Sequence, residues 1–127
     1  MVVQNQEPRT FNGKKLRKHD VVVNGVLWTP EKIKELLETN DKAVCRAILV
    51  IYDYQTADEQ SEGTTKYWNH VGFGGADVEL LSSYAKGIKK YGGLTEKQMP
   101  YARKKIKKYW KQIIEHMQRV QRETAGV

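Results

Sequence analysis

The segment with the clearest chemistry is a cationic run at residues 103–111, in which six of nine side chains are Lys or Arg. No acidic residue lies between Lys97 and Ile114. Apolar residues recur here at helical spacing, which predicts a buried stripe and a cationic opposite face. The stripe contains Ala102, Ile106, Tyr109, Ile113, Met117 and Val120. Because like charges four residues apart destabilise a helix, an unmixed cationic face indicates a polyanionic partner.

These cations are the first candidate binding residues, and we predict that they neutralise phosphate groups. Lysine acts as a point charge that suits phosphate better than base edges. Its contacts therefore position a nucleic acid without reading its sequence. The predicted phosphate contacts are Arg103, Lys104, Lys107, Lys108 and Lys111, with Lys66 and Lys86 extending the track.

A segment rich in aromatic residues and glycine, residues 64–77, is the second candidate. Single-strand binders combine aromatic platforms for bases with cations along the backbone. We predict that Tyr67, Trp68 and Phe73 provide such stacking surfaces. Glycines also leave backbone N–H groups accessible to a phosphate beside the N-terminus of a following helix. The alternative is that Trp68 or Phe73 fills the core beneath the loop.

Catalytic and cofactor sites are not indicated by the sequence. The three histidines are scattered and none lies at metal-ligand spacing. The glycine-rich run also lacks the pattern of a nucleotide-binding P-loop. We expect Asp77 to be a first-turn residue that interacts with the helix dipole, rather than the partner of His70 in an acid–base pair.

An acidic group upstream could hold a divalent metal in a nuclease, and this is the least favoured alternative. The group contains Asp53, Asp58, Glu59 and Glu62. Because no lysine or histidine suited to catalysis lies near it in the sequence, a solvated face is the preferred interpretation. We therefore predict a protein that is not an enzyme and that needs no cofactor and no metal.

Charge is distributed unevenly along the 127 residues, whose formal net charge is +7. Residues 1–63 carry nine Lys/Arg against ten Asp/Glu, whereas residues 64–127 carry thirteen against five. No apolar run approaches the roughly 18–20 residues of a membrane-spanning helix, so we expect no membrane association. The single cysteine, Cys45, cannot form an internal disulfide, so we expect a reducing cytoplasm.

Residues 1–18 form the first predicted unit. They are polar and basic with few apolar side chains, a composition that cannot offset the entropy of ordering. We therefore expect a flexible basic arm that adds phosphate contacts or only aids solubility. A single domain over residues 19–127 should follow it.

Turn and cap signals predict the first ordered elements of that domain. Asn24-Gly25 lies between two β-branched or aromatic runs. This dipeptide predicts a β-hairpin over residues 21–28, because both central positions of the tight turn need positive φ. Thr29-Pro30 then predicts the start of a helix, and Thr39-Asn40 predicts its end.

The middle of the chain predicts a central helix. We expect Asp41 to cap an apolar helix over residues 42–54, with a buried strand as the alternative. Thr56-Ala57-Asp58-Glu59 has capping-box spacing and predicts the start or extension of a helical turn.

The C-terminal half predicts two further helices. The first covers residues 76–89 and ends at Gly92-Gly93. A capping box over residues 94–98 then opens a long basic helix over residues 97–121 that contains Pro100. Together these elements predict a small, mostly α domain with one β-hairpin and four or five helices packed as a single unit.

Several of these segments together resemble a known module. They are Asn69-His70-Val71-Gly72-Phe73-Gly74-Gly75-Ala76-Asp77, Leu80-Leu81-Ser82-Ser83, Leu94-Thr95-Glu96-Lys97-Gln98 and Ala102-Arg103-Lys104-Lys105-Ile106-Lys107-Lys108-Tyr109. With Thr56-Ala57-Asp58-Glu59-Gln60 upstream, the likeness covers residues 29–115. The module resembles one in bacteriophage and bacterial DNA-metabolism proteins, in particular the small single-stranded-DNA-binding transcription regulators of lytic podoviruses. Pro100 and Gly75 depart from that pattern.

The resemblance implies a phage early protein in the host cytoplasm that coats single-stranded DNA. Such a protein would act in transcription regulation, helping a phage RNA polymerase, or in DNA replication. Chain length separately favours a homo-oligomer, because a small protein gains affinity for a long strand through multivalency. Two alternatives remain: the lysine-rich helix binds an acidic host protein, or its lysine face binds duplex DNA without stacking.

Overall fold

The computed structural model describes residues 10–60 and 72–125 and shows a small α+β domain. Within these ranges there are five helices: α1 (Pro30–Thr39), α2 (Asp41–Gln60), α3 (Val78–Tyr91), α4 (Gln98–Lys107) and α5 (Trp110–Ala125). Two antiparallel hairpins precede them: β1 (Thr10–Phe11) with β2 (Lys14–Lys15), and β3 (Val21–Val23) with β4 (Val26–Trp28). The predicted mostly helical α+β class is confirmed.

The β3–β4 hairpin forms as its turn signal predicts. Asn24 and Gly25 have φ values of 52° and 77°, the left-handed pair that a two-residue hairpin turn requires. The strands pair Val21 with Trp28. Two glutamines of α5 attach the hairpin to the helices through backbone carbonyls: Gln118 Nε2 donates to Lys18 O (2.9 Å) and Asp20 O (3.3 Å), and Gln121 Nε2 donates to Val22 O (3.0 Å).

The β1–β2 hairpin lies inside the range for which the sequence predicts a flexible arm. Its turn is a second Asn-Gly dipeptide, in which Asn12 and Gly13 have φ values of 53° and 77°. Phe11 pairs with Lys14 across it. A prediction from composition alone misses this local signal. The remainder of the predicted arm, residues 1–9, lies outside the described residues.

Side-chain caps set the junction between α1 and α2. Thr29 Oγ1 accepts a hydrogen bond from the Lys32 backbone N–H at 3.1 Å, as predicted for the start of α1. The cap of α2 is Asn40, whose Oδ1 accepts from the Ala43 N–H at 2.9 Å, so the assignment of this role to Asp41 is wrong. Both residues are suitable caps, and the helix begins one residue earlier than the acidic side chain suggests.

The central helix α2 packs against the other four helices. Its fully buried side is formed by Val44, Ala47, Ile48 and Ile51, at the spacing of one helix face. The helical prediction is confirmed and the strand alternative is excluded. No new helix begins at Thr56, because its hydroxyl donates to the Tyr52 carbonyl at 3.1 Å and α2 continues to Gln60.

The cap signals around α3 and α4 also act as predicted. Gly92 ends α3 with φ 86°, and its N–H donates to Ile88 O at 2.7 Å. Thr95 and Gln98 form a reciprocal capping box, with Thr95 N–H to Gln98 Oε1 at 3.0 Å and Gln98 N–H to Thr95 Oγ1 at 3.1 Å. Pro100 fits because it lies in the first turn of α4, where a backbone N–H has no helical acceptor.

The prediction of a single helix over residues 97–121 is wrong, because a turn at residues 108–109 separates α4 from α5. At the break the Lys108 N–H donates to Lys105 O (3.3 Å) and the Tyr109 N–H donates to Ile106 O (2.9 Å). These contacts span three residues instead of four, which tightens the turn. The basic run is therefore divided between two helices.

Candidate nucleic-acid interface

A buried carboxylate organises the cationic end of the domain. Asp77 lies just before α3 and is 4% exposed. Tyr109 donates its hydroxyl hydrogen to Asp77 Oδ2 at 2.8 Å. Lys108 Nζ lies 3.0 Å from the same oxygen, and Lys105 Nζ lies 3.3 Å from Oδ1. We call these four residues the Asp77 cluster.

The cations determine the charge state of the buried acid. Burial alone raises the pKa of Asp77, but the contacts from Lys108, Tyr109 and Lys105 outweigh it and hold the pKa below its ordinary value. Asp77 is therefore ionised at neutral pH. It makes no capping bond to α3. Asp77 nevertheless lies at the N-terminus of α3, where a carboxylate interacts favourably with the helix dipole, and it makes long-range ion pairs in addition.

Tyr109 connects the Asp77 cluster to the loop before α3, residues 72–77. Its hydroxyl oxygen accepts a hydrogen bond from the Gly74 N–H at 2.7 Å. Burial and the neighbouring Asp77 raise the pKa of Tyr109, so the hydroxyl keeps the hydrogen that it donates. A Cβ on Gly74 would lie 3.3 Å from the tyrosine oxygen. The small residue at position 74 therefore allows the close approach.

Two glutamines hold the backbone of the same loop. Gln112 Oε1 accepts from the Gly72 N–H at 2.9 Å, and Gln112 Nε2 donates to Gly72 O at 3.1 Å. Gln55 Oε1 accepts from the Phe73 N–H at 3.0 Å. Gly72 has φ 137°, a conformation open mainly to glycine. The loop is thus fixed to both α2 and α5.

One of the three predicted stacking residues, Phe73, is buried. Phe73 is only 9% exposed and packs edge-on against Tyr109, with ring centroids 5.8 Å apart. Its assignment as a stacking surface is wrong, because its ring fills the core. Lys66, Tyr67 and Trp68 lie outside the described residues.

Three of the predicted phosphate contacts are paired within the domain, and one of them is Lys108 of the Asp77 cluster. Arg103 donates from Nε to Leu37 O at 2.8 Å and forms an ion pair with Asp41. Lys107 Nζ lies 2.9 Å from Glu38 Oε1. These contacts join α4 to the junction of α1 and α2. Arg103 and Lys107 are therefore paired with carboxylates of the domain, and their predicted phosphate contacts stay a prediction.

Three of the predicted cations, Lys104, Lys111 and Lys86, are exposed. Lys104 and Lys111 are exposed and make no ion pair with the residues that the structure describes. Lys86 is also exposed, yet it lines a separate groove between α2 and α3 together with Tyr52 and Glu79. The structure thus separates Lys86 from the basic face of α4.

One exposed aromatic residue on α4 escapes the sequence-based prediction. Tyr101 is 64% exposed, and with Lys104, Lys105 and Lys108 it lines a cavity of about 300 Å³. We call these four residues the α4 lysine pocket. Their spacing of three, four and seven residues places them on one helix face. That spacing is visible in the sequence and could have identified Tyr101.

A larger cavity of about 550 Å³ lies between the β3–β4 hairpin and helices α1, α2 and α5. Its walls are mostly apolar and include Trp28, Leu36, Val50, Ile113 and Met117. Such walls suit an apolar group rather than a phosphate. This cavity therefore belongs to the packing of the hairpin and not to the cationic surface.

Two further features are absent from the residues that the structure describes. Over residues 10–60 and 72–125, no group of three metal-ligating side chains is assembled. In the same part of the chain, no helix is both long and apolar enough to cross a bilayer.

No family model, curated protein or solved structure matches the chain. The resemblance to phage single-stranded-DNA-binding regulators stays a prediction.

Proposed function

We propose that this protein is a non-enzymatic, sequence-tolerant single-stranded-DNA-binding protein whose interface is the α4 lysine pocket. The observation that supports this is the exposed Tyr101 ring, which lines one cavity together with the side chains of Lys104, Lys105 and Lys108. Aromatic stacking and cationic contacts to the backbone are the two elements that single-strand binders combine.

The charges on this face suit phosphate groups rather than base edges. All the cations in the pocket are lysines, which lack the planar fork that reads guanine. Exposed Lys97 precedes Tyr101 by one helical turn, and exposed Lys111 follows the end of α4. Three to five phosphate contacts would give a log–log salt dependence of about −2 to −3.5 for a single strand, at about 0.7 per contact.

The first experiment measures fluorescence anisotropy of labelled oligo-dT and of a matched duplex between about 50 and 300 mM salt. The Tyr101→Ala variant should lose about 1–3 kcal/mol of affinity for the single strand and little for the duplex. The matched control is Tyr91→Ala, since Tyr91 is 76% exposed but lies outside the pocket. Failure of the protein to bind either nucleic acid would overturn the proposal and favour an acidic protein partner.

A second experiment separates the free lysines from the paired ones. The Lys104→Gln variant should flatten the salt dependence by about 0.7, because Lys104 has no described ion-pair partner. The Lys107→Gln variant is the control, because Glu38 already neutralises Lys107. If Lys107→Gln flattens the dependence as much as Lys104→Gln does, the assignment of the interface is wrong.

The wider role follows from the same binding. Several copies on one strand would add their contacts, so self-association would increase affinity through multivalency. We propose action on single strands in a host cytoplasm, in phage transcription or replication. Sedimentation with and without oligonucleotide tests the oligomeric state directly.

A further inference from the structure

We propose that the α4 lysine pocket binds the terminal phosphate monoester of a polynucleotide strand in preference to its internal phosphodiesters. This inference rests on the proposed single-strand binding and specifies which part of the strand the pocket takes. The observations that carry it are the three lysines that line this open cavity with Tyr101 and the buried acid with which two of them pair.

The first argument is the balance of charge. The side chains of Lys104, Lys105 and Lys108 line the pocket, and Asp77 is the only carboxylate that pairs with them among the residues that the structure describes. The remaining charge is therefore close to +2. A terminal phosphate carries about −1.5 to −2 at pH 7, whereas each internal phosphodiester carries about −1. The terminal group is the better match.

The second argument is the orientation of the donors. Each ammonium group has three N–H donors, and pairing with Asp77 leaves others free on Lys105 and Lys108. The side chains of these lysines are 37% and 58% exposed, so their heads also reach solvent. Because Asp77 already restricts both side chains, less conformational entropy is lost when an anion binds. Asp77 is thus a positioning residue.

The third argument is the size of the cavity. About 300 Å³ is at the lower limit of small-ligand sites. A strand terminus can enter such a space, with its last base stacked on the exposed Tyr101 ring. An internal phosphate has a nucleotide on either side, so it meets the cavity only at its opening.

The experiment compares oligo-dT with and without a terminal phosphate, placed at the 5′ end or the 3′ end and labelled at the opposite end. A hydroxyl-ended oligonucleotide one residue longer controls for total charge. We expect the phosphorylated strand to bind about tenfold more tightly, as for one additional charge-assisted contact. Inorganic phosphate should compete for this advantage at millimolar concentration. The Lys104→Gln variant should remove the advantage and the Lys111→Gln variant should retain it.

The outcomes distinguish this inference from the function on which it rests. Equal binding of phosphorylated and hydroxyl-ended strands would overturn the terminal-phosphate site and leave single-strand binding intact. Absence of binding to every oligonucleotide would overturn the proposed function itself. A preference that persists in Lys104→Gln would also overturn the assignment to this pocket.

The Asp77→Asn variant tests the positioning role. Removal of a negative charge alone would increase affinity for all strands equally. If Asp77 orients the lysines, the ratio of affinities for phosphorylated and hydroxyl ends should instead fall towards one. An unchanged ratio would show that Asp77 does not position the donors.

Discussion

Two carboxylates, Asp20 and Asp77, are the buried charged groups of the described chain, with exposures of 3% and 4%. Asp20 accepts from the backbone and the guanidinium of Arg17, three residues earlier. Asp77 depends on side chains from the end of α4 and the turn after it. The Arg17 contacts of Asp20 are thus local in sequence, whereas the contacts of Asp77 come from the tertiary fold.

The balance of charge also differs between these sites. Arg17 contacts both Asp20 and Glu31, so one cation lies between two carboxylates. At the other site, one carboxylate lies between Lys105 and Lys108. Burial raises the pKa of both acids, but their hydrogen bonds and ion pairs outweigh burial and hold the pKa below the ordinary value. The ion pairs around Asp20 therefore leave an excess of one negative charge, whereas those around Asp77 leave an excess of one positive charge.

The largest expected effect is on stability, in the Lys105→Met/Lys108→Met double variant. It would leave Asp77 buried without a cation, which should cost about 3–5 kcal/mol. Asp77→Asn should cost less, because the two lysines are partly exposed and can return to water. Denaturant unfolding of each variant measures the difference. The control is Lys104→Met, which should change stability by less than about 0.5 kcal/mol.

Adding Asp77→Asn to the double variant should recover part of the lost stability, because no buried charge then remains. If the double variant is as stable as Lys104→Met, the two ion pairs contribute nothing. The contrast between Asp77 and Asp20 would then lose its physical basis.

An intermediate effect is expected for Tyr109→Phe. The change removes the hydrogen bond to Asp77 and the acceptor of the Gly74 N–H. Loss of such contacts costs about 1–3 kcal/mol. Tyr101→Phe is the control, because its hydroxyl is on an exposed ring. Equal unfolding midpoints for the two variants would contradict the assigned role of Tyr109.

The smallest expected effect is a loss of folding stability at low pH. A depressed carboxyl pKa contributes stability above the ordinary value of 3.8, and that contribution is lost as pH falls through the lowered pKa. The protein should therefore become less stable below about pH 4. Asp77→Asn and Asp20→Asn should each flatten this dependence, measured by denaturant unfolding at several pH values. A variant with an unchanged pH dependence would show that its acid is not the titrating group.

Local signals account for most of the predictable fold. Asn24-Gly25 determines the β3–β4 turn, Thr29 caps α1, and Gly92 ends α3. The Thr95–Gln98 capping box opens α4. Each depends on residues within four positions of one another, so a single sequence contains the necessary information.

The break between α4 and α5 could not be predicted in the same way. Neither Lys108 nor Tyr109 disfavours a helix strongly, and the apolar stripe continues across the break. Tyr109 instead makes contacts with Gly74 and Asp77, more than thirty residues away. A tertiary arrangement therefore overrides a helical pattern that is locally consistent.

The site was predictable as a basic region but not residue by residue. The sequence identifies the lysine-rich segment, yet it does not show that Glu38 neutralises Lys107 or that Asp41 pairs with Arg103. The exposed Tyr101 was identifiable from its helical spacing to Lys104 and Lys108. The burial of Phe73 was not, because it depends on how the loop meets Tyr109.

The glutamine contacts to the β3–β4 hairpin have a practical consequence for purification. Gln118 and Gln121 bind backbone carbonyls, so neither partner carries a charge that salt can screen. A concentrated salt wash should therefore leave the hairpin attached to the helices.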